Sequence, residues 1–155
     1  MVVTCQECGA QLPEGGTCID HFHALLLLEY KVAADPVTTS GGRGLVAHFY
    51  AVNSYVLQHP EGMKYTAEAL AGARRDLADH LAGRVTLSEQ QLRIRRAADG
   101  AARITRRAGD EVVRWPVDSW PLTVADVVAG GVEGYCGRVA AWAESILRTL
   151  DTAGA

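Results

Sequence analysis

The sequence predicts a mainly α-helical protein, one bundle of about four or five helices with a zinc-bound amino-terminal lobe. Three observations lead there. Beyond residue 19 apolar residues recur at spacings of three and four, the mark of helices that bury one face. Residues 1–18 are instead short, polar and rich in turn formers, with three cysteines at metal-ligand spacing. The chain has 155 residues, 48% of them apolar, which is enough for one core and too few for two comfortable ones. The expected organisation is therefore a single domain over residues 1–155, with a metal-binding lead-in (1–18) and a helical bundle (19–151).

Each element follows from local chemistry. In the lead-in, Pro13 and Gly15-Gly16 forbid regular helix over most of the segment. From Asp20, the positions Phe22, Leu25, Leu26 and Leu28 to Tyr30 define a first helix that meets no breaker before Asp35-Pro36. Residues 35–44 are Pro-, Thr-, Ser- and Gly-rich and read as an exposed loop. A second helix spans 45–58 with the stripe Leu45, Phe49, Val52 and Val56. It stops near His59 because Pro60 disfavours the helical conformation of the residue before it.

A third helix begins near Thr66 and runs through Leu70, Ala73, Leu77 and Leu81 to Gly83. A fourth opens on Thr86-Leu87-Ser88-Glu89, a hydroxyl cap with an acid three residues on. It continues past Ala98 toward Gly100 or, with a kink, to Arg107. Gly109-Asp110 is a break. Residues 111–115 read as a short extended piece, and the connection to Pro121 carries Trp115 and Trp120. A short helix over 123–128, capped by Thr123 with Asp126, and a longer one over 132–150 complete the chain.

Charge and hydropathy narrow the function. Net charge is −3, so there is no global footprint for nucleic acid or an anionic membrane. The longest apolar run, 24–28, is far below the ~20 residues that span a bilayer. The amino terminus also lacks the basic start of a secretory signal. A cytoplasmic protein with reduced thiols is the expectation, and clustered cysteines there are ligands before they are disulfides.

The strongest motif is Cys5-x-x-Cys8-Gly9 followed by Cys18. Two thiolates on a tight turn reach one tetrahedral ion, and Gly9 lets the backbone fold back. The competing readings are a redox pair, which lacks the strand that should precede it, and incidental free cysteines. Cys136, alone on the last helix, reads as a small core residue. The fourth ligand comes from His21, His23, His48 or His59. If the first two helices pack antiparallel, the end of the second lies beside the start of the first, which favours His59 next to Cys18. His21, one turn after Cys18, is the local alternative.

The same pairing places a second constellation. Glu29 lies ten residues beyond Ile19 and His48 eleven before His59, so both sit ~15 Å along the helix pair and face each other. With Tyr55 they form a candidate catalytic set of acid, base and hydrogen-bond donor. The competing account is a satisfied polar contact in a bundle. Eight arginines stand against four acids over 84–114, and Arg93, Arg96, Arg103 and Arg107 can share one helical face. Nucleic-acid binding is the sharp reading of that face, and a solvated face paired with acids of the first and third helices the plain one. Trp115 and Trp120 either wall an apolar pocket or pack on the core.

The pattern Cys5-x-x-Cys8-Gly9-Ala10, Cys18-x-Asp20-x-Phe22, Glu29, His48, Tyr55-x-x-Gln58-His59-Pro60, Thr123-Val124-Ala125-Asp126-Val127 and Trp142-Ala143 resembles an uncharacterised family of small bacterial proteins. That family is common in actinobacteria and carries a domain-of-unknown-function label. The resemblance implies that Cys5, Cys8, Cys18, His48 and His59 act as one set. It supplies no activity, and since such proteins more often carry a histidine near Cys136, it assigns that cysteine no role.

Two function classes remain. One is a small zinc-binding enzyme of specialised metabolism, acting on a small molecule between the first two helices. Its metal is then a closed Cys5, Cys8, Cys18, His59 site; with three protein ligands and a water it would itself be catalytic, with His48 as proton shuttle. The other is a zinc-stabilised binding or adaptor module without chemistry. Nucleic-acid binding is the least favoured.

Overall fold

The computed structural model describes residues 1–34, 43–99 and 103–155. Among these are six helices: α1 (Cys18–Ala33), α2 (Arg43–Gln58), α3 (Ala67–Leu81), α4 (Leu87–Asp99), α5 (Val124–Ala129) and α6 (Tyr135–Thr152). The mainly helical class is as the periodicity predicts. Ahead of them lies an antiparallel hairpin, β1 (Val3–Thr4) and β2 (Gln11–Leu12), that pairs Val3 with Leu12 and Thr4 with Gln11. The sequence reading saw only turns here. Two-residue strands carry no periodicity, and the intervening loop closes through Cys5 N–H to the Ala10 carbonyl at 2.9 Å and Gly9 N–H to the Cys5 carbonyl at 2.9 Å. Gly9 takes φ +78°, the left-handed conformation this turn requires.

Helix α1 starts earlier than its apolar pattern suggests because Thr17 and Asp20 form a cap. Both the Thr17 N–H (2.7 Å) and its hydroxyl (2.8 Å) donate to Asp20 Oδ2. Cys18 is thereby in the first helical turn. The same device opens α4, where Thr86 N–H reaches Glu89 Oε2 at 2.6 Å, and α5, where Thr123 N–H reaches Asp126 Oδ2 at 2.7 Å. Helix α6 begins only at Tyr135, after Gly131 and Gly134, each at φ +68°. The expected loop over 35–44 lies outside the described residues except for Arg43 and Gly44, which already belong to α2.

The core is built on α2 and α6. Tyr135, Val139, Trp142, Ala143, Ile146 and Leu150 of α6 form one fully buried stripe. Helix α2 contacts α1, α3 and α6, so its second half is buried on every side, from Ser54 through His59. The expected α2 stripe is corrected by this three-sided packing. Leu45 is 58% exposed, Phe49 and Val52 are half-buried, and Ala47, Tyr50, Ala51 and Tyr55 join Val56 in the core.

Two further expectations change. Helix α4 ends at Asp99, and no kinked helix reaches Arg107. Residues 103–106 lie extended against the segment before α3 instead. Tyr65 bridges Thr105, Thr66 N–H donates to the Ile104 carbonyl at 2.8 Å, and Arg106 N–H to the Lys64 carbonyl at 2.7 Å. That pairing satisfies backbone a longer helix would have used. Residues 111–115 form no strand; this connection is anchored by its indoles. No described helix is long and apolar enough to cross a membrane.

Candidate functional site

Three segments converge where the hairpin meets the α1–α2 pair. The hairpin loop brings Cys5 and Cys8, the first turn of α1 brings Cys18, and His59 follows the last turn of α2. Their ligand atoms all lie within 4.8 Å of one another, close enough to hold one metal ion. The Cys8 and Cys18 sulfurs are 3.5 Å apart, and His59 Nε2 is 3.1 Å from the Cys18 sulfur. Donors around a tetrahedral Zn²⁺, with sulfur at ~2.3 Å and nitrogen at ~2.0 Å, stand about 3.5 to 3.8 Å from each other. The observed set needs only small shifts to match.

His59 is oriented so that it could serve as a ligand. Its Nδ1 lies 2.8 Å from the Tyr55 carbonyl, which can only accept, so Nδ1 carries a proton and Nε2 is the nitrogen that faces the sulfurs. The Tyr55 ring stacks on the imidazole with centroids 4.0 Å apart, and Phe22 stacks on Tyr55 at 4.4 Å. His21 lies elsewhere, with its Nε2 3.3 Å from the Gln11 carbonyl.

The electrostatics favour a cation. Hydrogen bonds from Cys18 and Cys8 hold the Cys5 thiol far below the ordinary thiol range. Cys18, crowded by Cys5 and Cys8 and desolvated, is pushed far above it. Burial opposes a charge on His59, yet hydrogen bonds to the Cys5 and Cys8 sulfurs outweigh it and push its pKa up to about 9. A cluster that draws a proton onto a buried imidazole draws a metal cation by the same field.

The surroundings fasten this lobe to the bundle. The carboxylate of Glu7, between Cys5 and Cys8, accepts from Glu61 N–H (2.8 Å) and Gly62 N–H (3.2 Å) just beyond His59. Glu61 N–H is the group that would have bonded the Leu57 carbonyl had α2 continued past Gln58. That carbonyl is taken by the Trp115 indole at 2.7 Å, while the Trp120 indole donates to the Glu7 carbonyl at 3.0 Å. Both tryptophans therefore secure backbone around the cluster and also line a small cleft beside Gln6 and Pro60. Glu7 was missed in the sequence reading, because a lone acid inside a Cys-x-x-Cys loop gives no sign of partners 54 residues away.

Lower on the same helix pair, Glu29 and His48 meet, with Glu29 Oε2 2.7 Å from His48 Nδ1. Tyr55 is not with them; it lies against His59, and burial together with the nearby sulfurs raises its phenol pKa. A residue the sequence reading missed takes the third position. The Tyr135 hydroxyl, on a residue 1% exposed, donates to Glu29 Oε1 at 2.7 Å. That contact joins positions 106 apart in the chain, and only the packing of α6 creates it. Burial, and then the Glu29 hydrogen bond, push the Tyr135 pKa up, so it remains a donor. Glu29, His48 and Tyr135 border a cavity of about 590 Å³ between α1, α2 and α6.

The arginine-rich segment makes no single face, since Arg103 and Arg107 lie outside α4. Arg93 and Arg84 each pair with Asp79 of α3 at 2.8 Å, Arg103 with Asp110 at 2.8 Å, and Arg114 with Glu61 at 3.0 Å. No curated protein and no solved structure gives a significant match to the chain. The model of a family of unknown function, DUF5946, matches residues 3–151, cluster and polar pair included, and the chain belongs to that family.

Proposed function

We propose that this is a zinc protein in which Cys5, Cys8, Cys18 and His59 hold one structural Zn²⁺, while Glu29 and His48 serve a small-molecule site on the same two helices. The observation that carries the reading is the convergence of four metal-ligating atoms within 4.8 Å from three separate segments. Three thiolates and an imidazole form a soft, tetrahedral donor set suited to Zn²⁺, and four protein ligands close the site. The chemistry then belongs to the lower level. A carboxylate on Nδ1 fixes the imidazole and leaves Nε2 for acid–base work, the arrangement a general base requires.

Metal analysis tests the first half. Protein purified without added metal should contain about one equivalent of zinc, and Cys8→Ser should lose both the metal and stability. Full occupancy in that variant, or stoichiometric content of a different metal, overturns the assignment. His48→Ala tests the independence of the two levels, since it should keep the full zinc content and the native circular dichroism.

A further inference from the structure

We infer that the cavity between α1, α2 and α6 takes an apolar small molecule carrying one weakly acidic group, such as a phenol or an enol, which meets His48 Nε2, with Tyr135 as the positioning residue that holds Glu29 behind it. The inference rests on the small-molecule reading above and deepens it.

The walls set the first condition. Leu26, Val32, Ala33, Leu45 and Ala47 contribute aliphatic surface, and the volume of about 590 Å³ suits a molecule of one or two rings. Among the side chains the structure describes, those of residues 1–34, 44–99 and 103–155, no lysine or arginine lines the cavity. Of these described side chains His48 is the one cationic partner the lining offers, so a phosphorylated or multiply charged ligand would be desolvated with charge left over, at a cost of several kcal/mol. Leu45 and Tyr30, 58% and 79% exposed, stand at the rim as apolar surface facing solvent.

The polar groups set the second condition. Glu29 has both oxygens engaged, Oε1 by the Tyr135 hydroxyl and Oε2 by His48 Nδ1, each at 2.7 Å. The carboxylate is thus held in place from two sides, and the nitrogen it leaves for a ligand is Nε2. A ligand O–H gives its proton to the neutral imidazole, breaking O–H, forming Nε2–H and keeping the electron pair on oxygen. An already ionised ligand reaches the same state by binding the imidazolium. Both routes end with Glu29 carboxylate, His48 imidazolium and ligand anion in a row, two negative groups flanking a positive one. A ligand with no hydrogen-bonding group leaves that nitrogen unmatched, and a neutral donor pairs with it without becoming an anion.

Two probes of one ring size test this at one fixed pH. 4-Nitrophenol reports its ionisation by absorbance, and nitrobenzene lacks the hydroxyl. The metal-replete protein should bind 4-nitrophenol saturably, raise its phenolate fraction, and hold it at least about tenfold more tightly than nitrobenzene, a difference of ~1.4 kcal/mol. His48→Gln should lose the phenolate gain and bind the two probes alike. Tyr135→Phe should retain binding with a smaller phenolate gain, zinc content and circular dichroism certifying the fold of both variants. Equal affinity for the two probes in the unaltered protein leaves the cavity standing and overturns the acidic-group inference, as does an undiminished phenolate gain in His48→Gln. Failure of both probes to bind overturns the cavity reading as well.

Discussion

His48 is the residue whose environment is most directly measurable. Its hydrogen bond to Glu29 raises its pKa, partial burial opposes this, and the charge of Glu29 adds to the rise. A histidine with a folded pKa above the unfolded value of ~6.5 contributes stability that is complete below about pH 6.5. That contribution is lost as pH rises through the raised folded pKa. The ring is 56% exposed, so solvent screens the pair and the global effect is slight. Nuclear magnetic resonance is therefore the right measurement. His48 should titrate above an ordinary histidine, and Glu29→Gln should bring it back to that range or lower, since burial then acts alone. An ordinary value in the unaltered protein would mean that the ion pair does not form in solution.

At the level of elements, the packing of α6 on α2 holds the bundle together. Trp142, fully buried, donates its indole N–H to Gln58 Oε1 at 3.1 Å, and Gln58 Nε2 donates in turn to the Leu122 carbonyl at 2.7 Å. This chain of donors ties α6, the last turn of α2 and the entry to α5 together one residue before His59. Trp142→Ala removes the largest core side chain and leaves a buried amide oxygen without its donor. It should lower unfolding free energy by about 3–5 kcal/mol in urea titrations. A loss below about 1 kcal/mol would place the stabilising contacts elsewhere. Helix α4 is the contrast. It packs on α3 with Gln90 as its buried residue, so exposed substitutions along it, apart from the capping Glu89 and the paired Arg93, should change stability by no more than about 0.5 kcal/mol.

For the whole molecule, a metal held by the cluster would close long loops. His59 lies 41 residues from Cys18, and the hairpin is joined to the bundle through the cluster, Glu7, the indole of Trp120 and the buried side chains of Ala10 and Leu12. Chelation with a strong zinc ligand should therefore release the lobe while much of the helical signal survives. Since about 1 kcal/mol corresponds to ~2–4 °C in a chain of this size, loss of a structural zinc should lower Tm by at least roughly 10 °C. Restoring one equivalent of Zn²⁺ should reverse the shift. An unchanged Tm after complete removal would show that the cluster does not support the fold.

Much of this architecture is local in origin and was legible. The capping pairs Thr86 with Glu89 and Thr123 with Asp126, the stop before Pro60 and the stripe through Leu70 and Leu77 each depend on residues within a few turns of one another. The clustering of Cys5, Cys8, Cys18 and His59 was legible too, because an antiparallel helix pair equates the start of α1 with the end of α2. The buried face of α2, the course of residues 103–122, and the partners Glu7 and Tyr135 were not. Each depends on which helices surround a given side chain, and no spacing along the chain records that. By itself the sequence determined the helices and the cysteines and histidine that meet at their ends. Only the tertiary structure decided that Glu29 is gripped by Tyr135 as well as His48, because a hydroxyl 106 residues distant arrives there through the packing of α6 alone.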